Sequence, residues 1–157
     1  MFFVAKMPAL QRAVLAAILL AAAPAVAHQP VRASPTGEPG KAGAVTREIA
    51  VTMAEKMRFL PSSIAVRRGE TVRFVVKNDD IEPHEFMLGE IAALQQHAAH
   101  MRLHPTMQHD EPNAITLLPG QSGALVWRFT HAGIVDFACL IPGHFEAGMK
   151  GDIEVTP

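Results

Sequence analysis

A single cysteine, Cys139, in 157 residues leaves no partner for an intramolecular disulfide. The fold must therefore rest on its apolar core, and a chain of this length can bury one. No block of Lys or Arg stands out, which argues against nucleic acid as a partner. No His-x-His pair occurs among the eight histidines, and no internal repeat is visible. Long apolar runs are also missing, with one exception near the start. Ala13 to Ala23 is built from Ala, Leu, Ile and Val, follows the basic residues Lys6 and Arg12, and precedes the small-x-small triplet Ala25-Val26-Ala27. The run is shorter than the about 20 residues of a membrane span. Its flanks are those of an export signal, residues 1–27, with the mature chain expected to begin at His28. Loss of that segment leaves 12 basic against 15 acidic residues, a net charge of −3 with His neutral. The expected location is periplasmic, with no membrane span after cleavage. In an oxidising compartment a lone thiol is a liability unless it is buried or bound to something.

What is present begins with a stretch rich in Pro, Gly, Ser and Ala, residues 28–45, expected to be a flexible leader. From residue 46 to 157 a single domain is expected. Short apolar or alternating runs predict strands over Arg47–Met53, Ser63–Arg67, Thr71–Lys77, Glu85–Leu88, Ala114–Leu118, Ala124–Thr130, Gly133–Cys139 and Asp152–Thr156. Turn signals separate them at Arg68-Gly69-Glu70, Asn78-Asp79-Asp80, Leu118-Pro119-Gly120 and His131-Ala132-Gly133. This is the pattern of an all-β sandwich or barrel. Trp127, Phe74, Phe129 and Phe137 are its expected core, and His131 belongs to a turn. One segment departs from the pattern. Ile91, Leu94, Ala98 and Met101 repeat at helical spacing between Glu90 and Leu103, and Pro105 ends the run. One helix inserted at about 90–103 is expected.

The chemistry concentrates in Cys139-Leu-Ile-Pro-Gly-His144-Phe-Glu-Ala-Gly-Met149. A thiolate, an imidazole and a thioether follow one another at intervals of five residues, in a loop expected to lie between two strands. Pro142 and the glycines at 143, 148 and 151 suit the tight turns needed to fold three donors around one ion. A fourth donor must come from elsewhere, and His84, at the start of a strand, is the best placed. Met87 is a remoter substitute for the thioether. Two His, one Cys and a weak Met are the donors of a blue-copper site, where the soft sulfurs favour Cu(I) and the imidazoles also suit Cu(II). Zinc is the rival metal, but structural zinc sites rarely use Met.

A second cluster lies in the insertion: His97, His100, Met101, His104, Met107 and His109. On a helix His97, His100 and His104 fall within roughly 60° of one another. A possible second metal site comprises His97, His100, Met101 and His104, against the plainer alternative of a His-rich solvated face. His28 as a mature N-terminus is a third candidate.

These motifs resemble the cupredoxin (blue-copper) family. The Cys-x4-His-x4-Met spacing is similar to that of rusticyanin and auracyanin, and Pro142-Gly143-His144 resembles the azurin loop. Phe59-Leu60-Pro61, Gly69-Glu70-Thr71-Val72 and His84-Glu85-Phe86 resemble exported cupredoxin-like proteins linked to copper resistance. The resemblance implies a Greek-key β-sandwich with copper at one end. It implies His84, Cys139 and His144 in the plane and Met149 axial. Copper tolerance or handling is the implied role, with a soluble one-electron carrier as the alternative. The expected partner is a redox or copper-transfer protein, and a monomer is expected. An oxidase or nitrite reductase is disfavoured. Trinuclear copper clusters draw on His-x-His pairs, one domain offers no interdomain copper site, and one cysteine cannot build a two-thiolate centre.

Overall fold

A computed structural model describes residues 35–104 and 111–157. Among these residues ten strands form two five-stranded sheets. The first has the order β1-β8-β5-β2-β3 and the second β4-β10-β9-β6-β7. The strands are β1 (Glu38–Pro39), β2 (Arg47–Ala54), β3 (Arg58–Leu60), β4 (Ser63–Arg67), β5 (Thr71–Asn78), β6 (His84–Gly89), β7 (Ala114–Leu117), β8 (Ser122–Arg128), β9 (Gly133–Ala138) and β10 (Lys150–Thr156). Helix α1 (Ile91–Leu103) lies between β6 and β7 in sequence.

Alternation sets which side chains enter the core. In β5, Val72, Phe74 and Val76 are fully buried while Val75 and Lys77 are exposed, as a period of two requires. β5 sits inside its sheet, parallel to β2 and antiparallel to β8. Facing it across the core are Phe86 and Leu88 of β6 and Val135 and Phe137 of β9. Phe86 meets Phe59, Phe74 and Phe137 with ring centroids 5.7, 5.4 and 5.1 Å away. Such tilted and edge-on aromatic contacts add to the area they bury. Trp127, Phe129 and Phe137 are buried as expected.

The opposite face of the second sheet carries the helix. Leu94 and Ala98 of α1 pack on Met87, Ala138 and Leu140. Gly89 leaves room for this, since a Cβ there would come within 2.7 Å of Leu94. The helix has no side-chain cap from Glu90. Asp136 of β9 instead accepts the Ile91 N–H at 2.9 Å, which ties the first turn to the sheet. Ile91, expected on the apolar face, is 38% exposed.

Two strands escaped the sequence reading, β1 and β3. The stretch 28–45, expected to be a flexible leader, carries β1 in its described part. Glu38 and Pro39 pair with Arg128 and Trp127, and the Trp127 indole N–H donates to the Thr36 carbonyl at 2.8 Å. The indole needed a partner on burial, and the Pro-Gly-rich segment supplies it. The export signal, His28, Met107 and His109 lie outside the described residues.

Candidate metal centre

Three donors, from the start of β6 and from the loop between β9 and β10, come together. β9 stops at Ala138, so Cys139 is the first residue of the loop that leads to β10. Cys139 is fully buried, and its N–H donates to the Met149 carbonyl at 3.1 Å. With Lys150 paired to Ala138, that bond closes the loop at its neck. Within the loop, the His144 N–H donates to the Ile141 carbonyl and the Met149 N–H to the His144 carbonyl, each at 3.0 Å. Gly143 and Gly148 take positive φ of 93° and 96°, which a residue with a Cβ rarely adopts.

His84 opens β6 from the neighbouring position in the sheet. The turn before it is organised by Asn78, also fully buried. Its amide donates to the Glu82 carbonyl at 2.8 Å and to the Leu117 carbonyl at 3.0 Å, while its Oδ1 accepts the Asp80 N–H at 3.0 Å. This network fixes where the chain enters β6 and so where the imidazole stands.

The imidazoles and the thiol face one another. His84 Nδ1 lies 3.1 Å from His144 Nδ1, and Cys139 Sγ lies 3.3 Å from His144 Nδ1. A ligand atom of each residue falls within 4.8 Å of the others. Each imidazole has a carboxylate at its far nitrogen. Asp80 Oδ2 is 3.2 Å from His84 Nε2, and Glu82 Oε2 is 3.7 Å from His144 Nε2. Burial pushes the Cys139 thiol up to about 12, against bonds from the Glu85 and Ile141 N–H groups that lower it. Burial also holds His144 below its ordinary 6.5, with the nearby His84 as a second cause. Asp80 is held below its ordinary value by the His84 hydrogen bond and then by the Ile81 N–H.

The sequence profile described as "Copper binding proteins, plastocyanin/azurin family" matches residues 45–156. This chain belongs to that family. It is 52% identical to the copper-resistant cuproprotein CopI of Rubrivivax gelatinosus over 129 residues, which cover 82% of this chain and 78% of that protein. It is 37% identical to the CopI protein of Pseudomonas aeruginosa, covering 82% and 86%. Among solved structures, auracyanin B superposes with a TM-score of 0.62 at 27% identity, covering 77% of this chain and 96% of that one.

For a plastocyanin/azurin-family protein the fit to copper can be tested on the donors themselves. Both Nδ1 atoms and the Sγ point into one space, and the imidazoles turn their other nitrogens outward to carboxylates. A cation accepting those three lone pairs would relieve the crowding of a buried thiol and two imidazoles. The donor set is soft sulfur with imidazole, which suits copper in either oxidation state. Met149 is fully buried in the same apolar cluster as Cys139. Met87, the substitute thioether, packs under α1 with Leu94 and Ala98. It alternates to the face opposite Phe86 and is turned away from the donors.

The insertion cluster is brought together only in part. His100 and His104 meet with ring centroids 4.7 Å apart. His97 is half-buried and lines a separate groove with Met87, Glu90, Glu111 and Asn113. No three-donor group forms there among the described residues.

Sequence reasoning missed Asp80, Glu82, Asn78 and Glu85. Asn78-Asp79-Asp80 was legible only as a turn. The signal it held is a carboxylate four residues before His84, whose Nε2 it meets. Glu85 acts twice, its N–H donating to Cys139 Sγ and its Oε2 accepting the Leu140 N–H, both at 3.3 Å.

Proposed function

We propose that this chain binds one copper ion through His84, Cys139, His144 and Met149, and that it serves copper tolerance as an exported periplasmic protein. The observation that carries the reading is the convergence of one thiol and two imidazole Nδ1 atoms, in a chain 52% identical to a protein named a copper-resistant cuproprotein. Bound copper supplies a centre that can gain or lose one electron. The residues do the rest. Cys139 gives up its proton to become a thiolate ligand. Asp80 fixes the His84 ring with its Nε2 proton outward. Glu85 and the loop bonds hold the sulfur in place. Binding and transfer of the metal, without a catalysed reaction on a substrate, is the proposed activity.

A second reading is a one-electron carrier, which the partly exposed edge of His144 favours: 12% of its side chain is exposed against none of His84. The partner in either case is proposed to be a copper-transfer or redox protein meeting the monomer at this end. No helix among the described residues is long and apolar enough to cross a membrane.

Cys139→Ser tests the site. The variant is expected to lose the intense visible charge-transfer band of the Cu(II) protein while keeping its β-sheet circular dichroism. An unchanged visible spectrum would refute the site. A strain lacking the protein, complemented with either form, separates the two readings. Copper tolerance restored only by the wild type supports handling, and equal tolerance with lost electron transfer supports the carrier.

A further inference from the structure

Away from Cys139, the last turn of α1 brings two more imidazoles together. His100 lies in the last turn of α1, and His104 is the residue that ends the helix, its N–H donating to the His100 carbonyl at 3.1 Å. Their ring centroids are 4.7 Å apart and the planes are tilted by 45°. Both residues are exposed. At 100° per residue His100 lies about 160° from buried Ala98, so its ring looks outward from the sheet, with exposed His104 against it.

Three features of this turn suit a divalent cation. Imidazoles at i and i+4 are a recurrent metal-chelating arrangement, and here the two rings are already in contact. The C-terminal end of a helix carries the negative end of its dipole. The nearest fixed positive charge on the element, Arg102, is drawn to the other side of the helix by an ion pair with Glu146. Neutral imidazole nitrogen suits copper, zinc and nickel alike, with Cu(II) held most strongly of the three.

We propose that His100 and His104 form a second, solvent-facing metal site that takes Cu(II), with water completing the coordination. His97 stands apart in its own groove, and half-buried Met101 is outside the pair. The site shares no donor with Cys139, and it gives the protein capacity for copper beyond one ion.

The test is a second equivalent of Cu(II) added to the mature protein already loaded with one copper, followed by electron paramagnetic resonance. The expected result is a new signal with wide copper hyperfine splitting and nitrogen coupling, distinct from that of a thiolate-bound ion. Loss of one arm of a chelate removes its effective-concentration gain, so His100→Ala and His104→Ala should each weaken this binding by about a hundredfold. His97→Ala and His131→Ala should leave it unchanged, and the Cys139→Ser variant should retain it. Unaltered second-copper affinity in the His100→Ala/His104→Ala double variant would overturn the proposal, as would an equal loss in His97→Ala. Far-ultraviolet circular dichroism confirms that α1 persists in each variant.

Discussion

Asp80 Oδ2 lies 3.2 Å from His84 Nε2, and the imidazole it touches is wholly buried. The carboxylate is itself anchored by the Ile81 N–H, at 2.6 Å. The pair sets the tautomer, leaving Nδ1 unprotonated toward Cys139 and His144, and the negative charge makes that nitrogen a better donor. Asp80→Asn is therefore expected to lower Cu(II) affinity by about tenfold or more and to raise the reduction potential. Chelator competition and voltammetry measure the two. An unchanged affinity and potential would show that the carboxylate serves only the turn.

The two histidines proposed as ligands differ in access, with 12% of the His144 side chain exposed and none of the His84 side chain. His144→Gly should open a position that added imidazole can fill, restoring much of the visible absorption. His84→Gly should be rescued poorly, since its place is covered by the loop and by the Asn78 turn. Equal rescue of both variants would contradict this difference in access.

Proton competition gives the site a pH dependence with a definite sign. The buried Cys139 thiol, at about 12, must lose its proton to bind a metal. Between pH 7 and 9 the apparent copper affinity should therefore rise about tenfold per pH unit. The slope should steepen only below 6.5, because burial lowers His144 and keeps it neutral into mildly acid solution. Metal titrations at several pH values check this.

The same groups set the stability of the metal-free protein. A thiol raised from 9.0 to about 12 contributes stability that is present below pH 9 and lost as pH rises toward 12. The lowered His144 contributes stability that is present above 6.5 and lost as pH falls. The urea midpoint of the metal-free chain should fall between pH 8 and 10.5, and Cys139→Ala should remove most of that alkaline loss. A midpoint that stays flat in the wild type would contradict burial of the thiol.

Phe86 has rings around it from both sheets, at Phe59, Phe74 and Phe137. Phe86→Ala should cost about 3–5 kcal/mol by transfer and cavity terms together. Because Phe86 is two residues from His84 on the same strand face, copper affinity should fall with it. Denaturant unfolding of the metal-free and loaded forms separates the two effects.

The strands with several alternating residues were legible in the sequence. β4 and β5 show why, with Ile64 and Val66, then Val72, Phe74 and Val76, inward at every second position. β1 and β3 were not, because two or three residues cannot show a period, and Phe59 is the one buried residue of β3. Cys139 and His144 were legible because spacing within one loop constrains geometry by itself, and His84 because it opens a strand just after a turn signal. Asp80 and Glu82 were not, since turns favour Asp and Asn whatever else those residues do. The insertion shows the opposite error. Wheel arithmetic grouped His97 with His100 and His104, but it takes no account of the 111–113 segment that gives His97 other neighbours. It also treats His104 as helical, whereas its φ of −133° and ψ of 61° mark the end of the helix.

β10 lies inside its sheet, antiparallel to β9 and parallel to β4, whose partner residues stand 89 positions earlier in the chain. Met149 immediately precedes this strand, and the bond that closes the loop neck forms only when the strand is seated. Contacts of such long range carry a larger loop-closure cost and slow folding. A chain in which β10 is not yet seated thus lacks a finished cradle for the metal. The appearance of colour on adding Cu(II) would therefore work as a clock for how quickly β10 slots between its two neighbours.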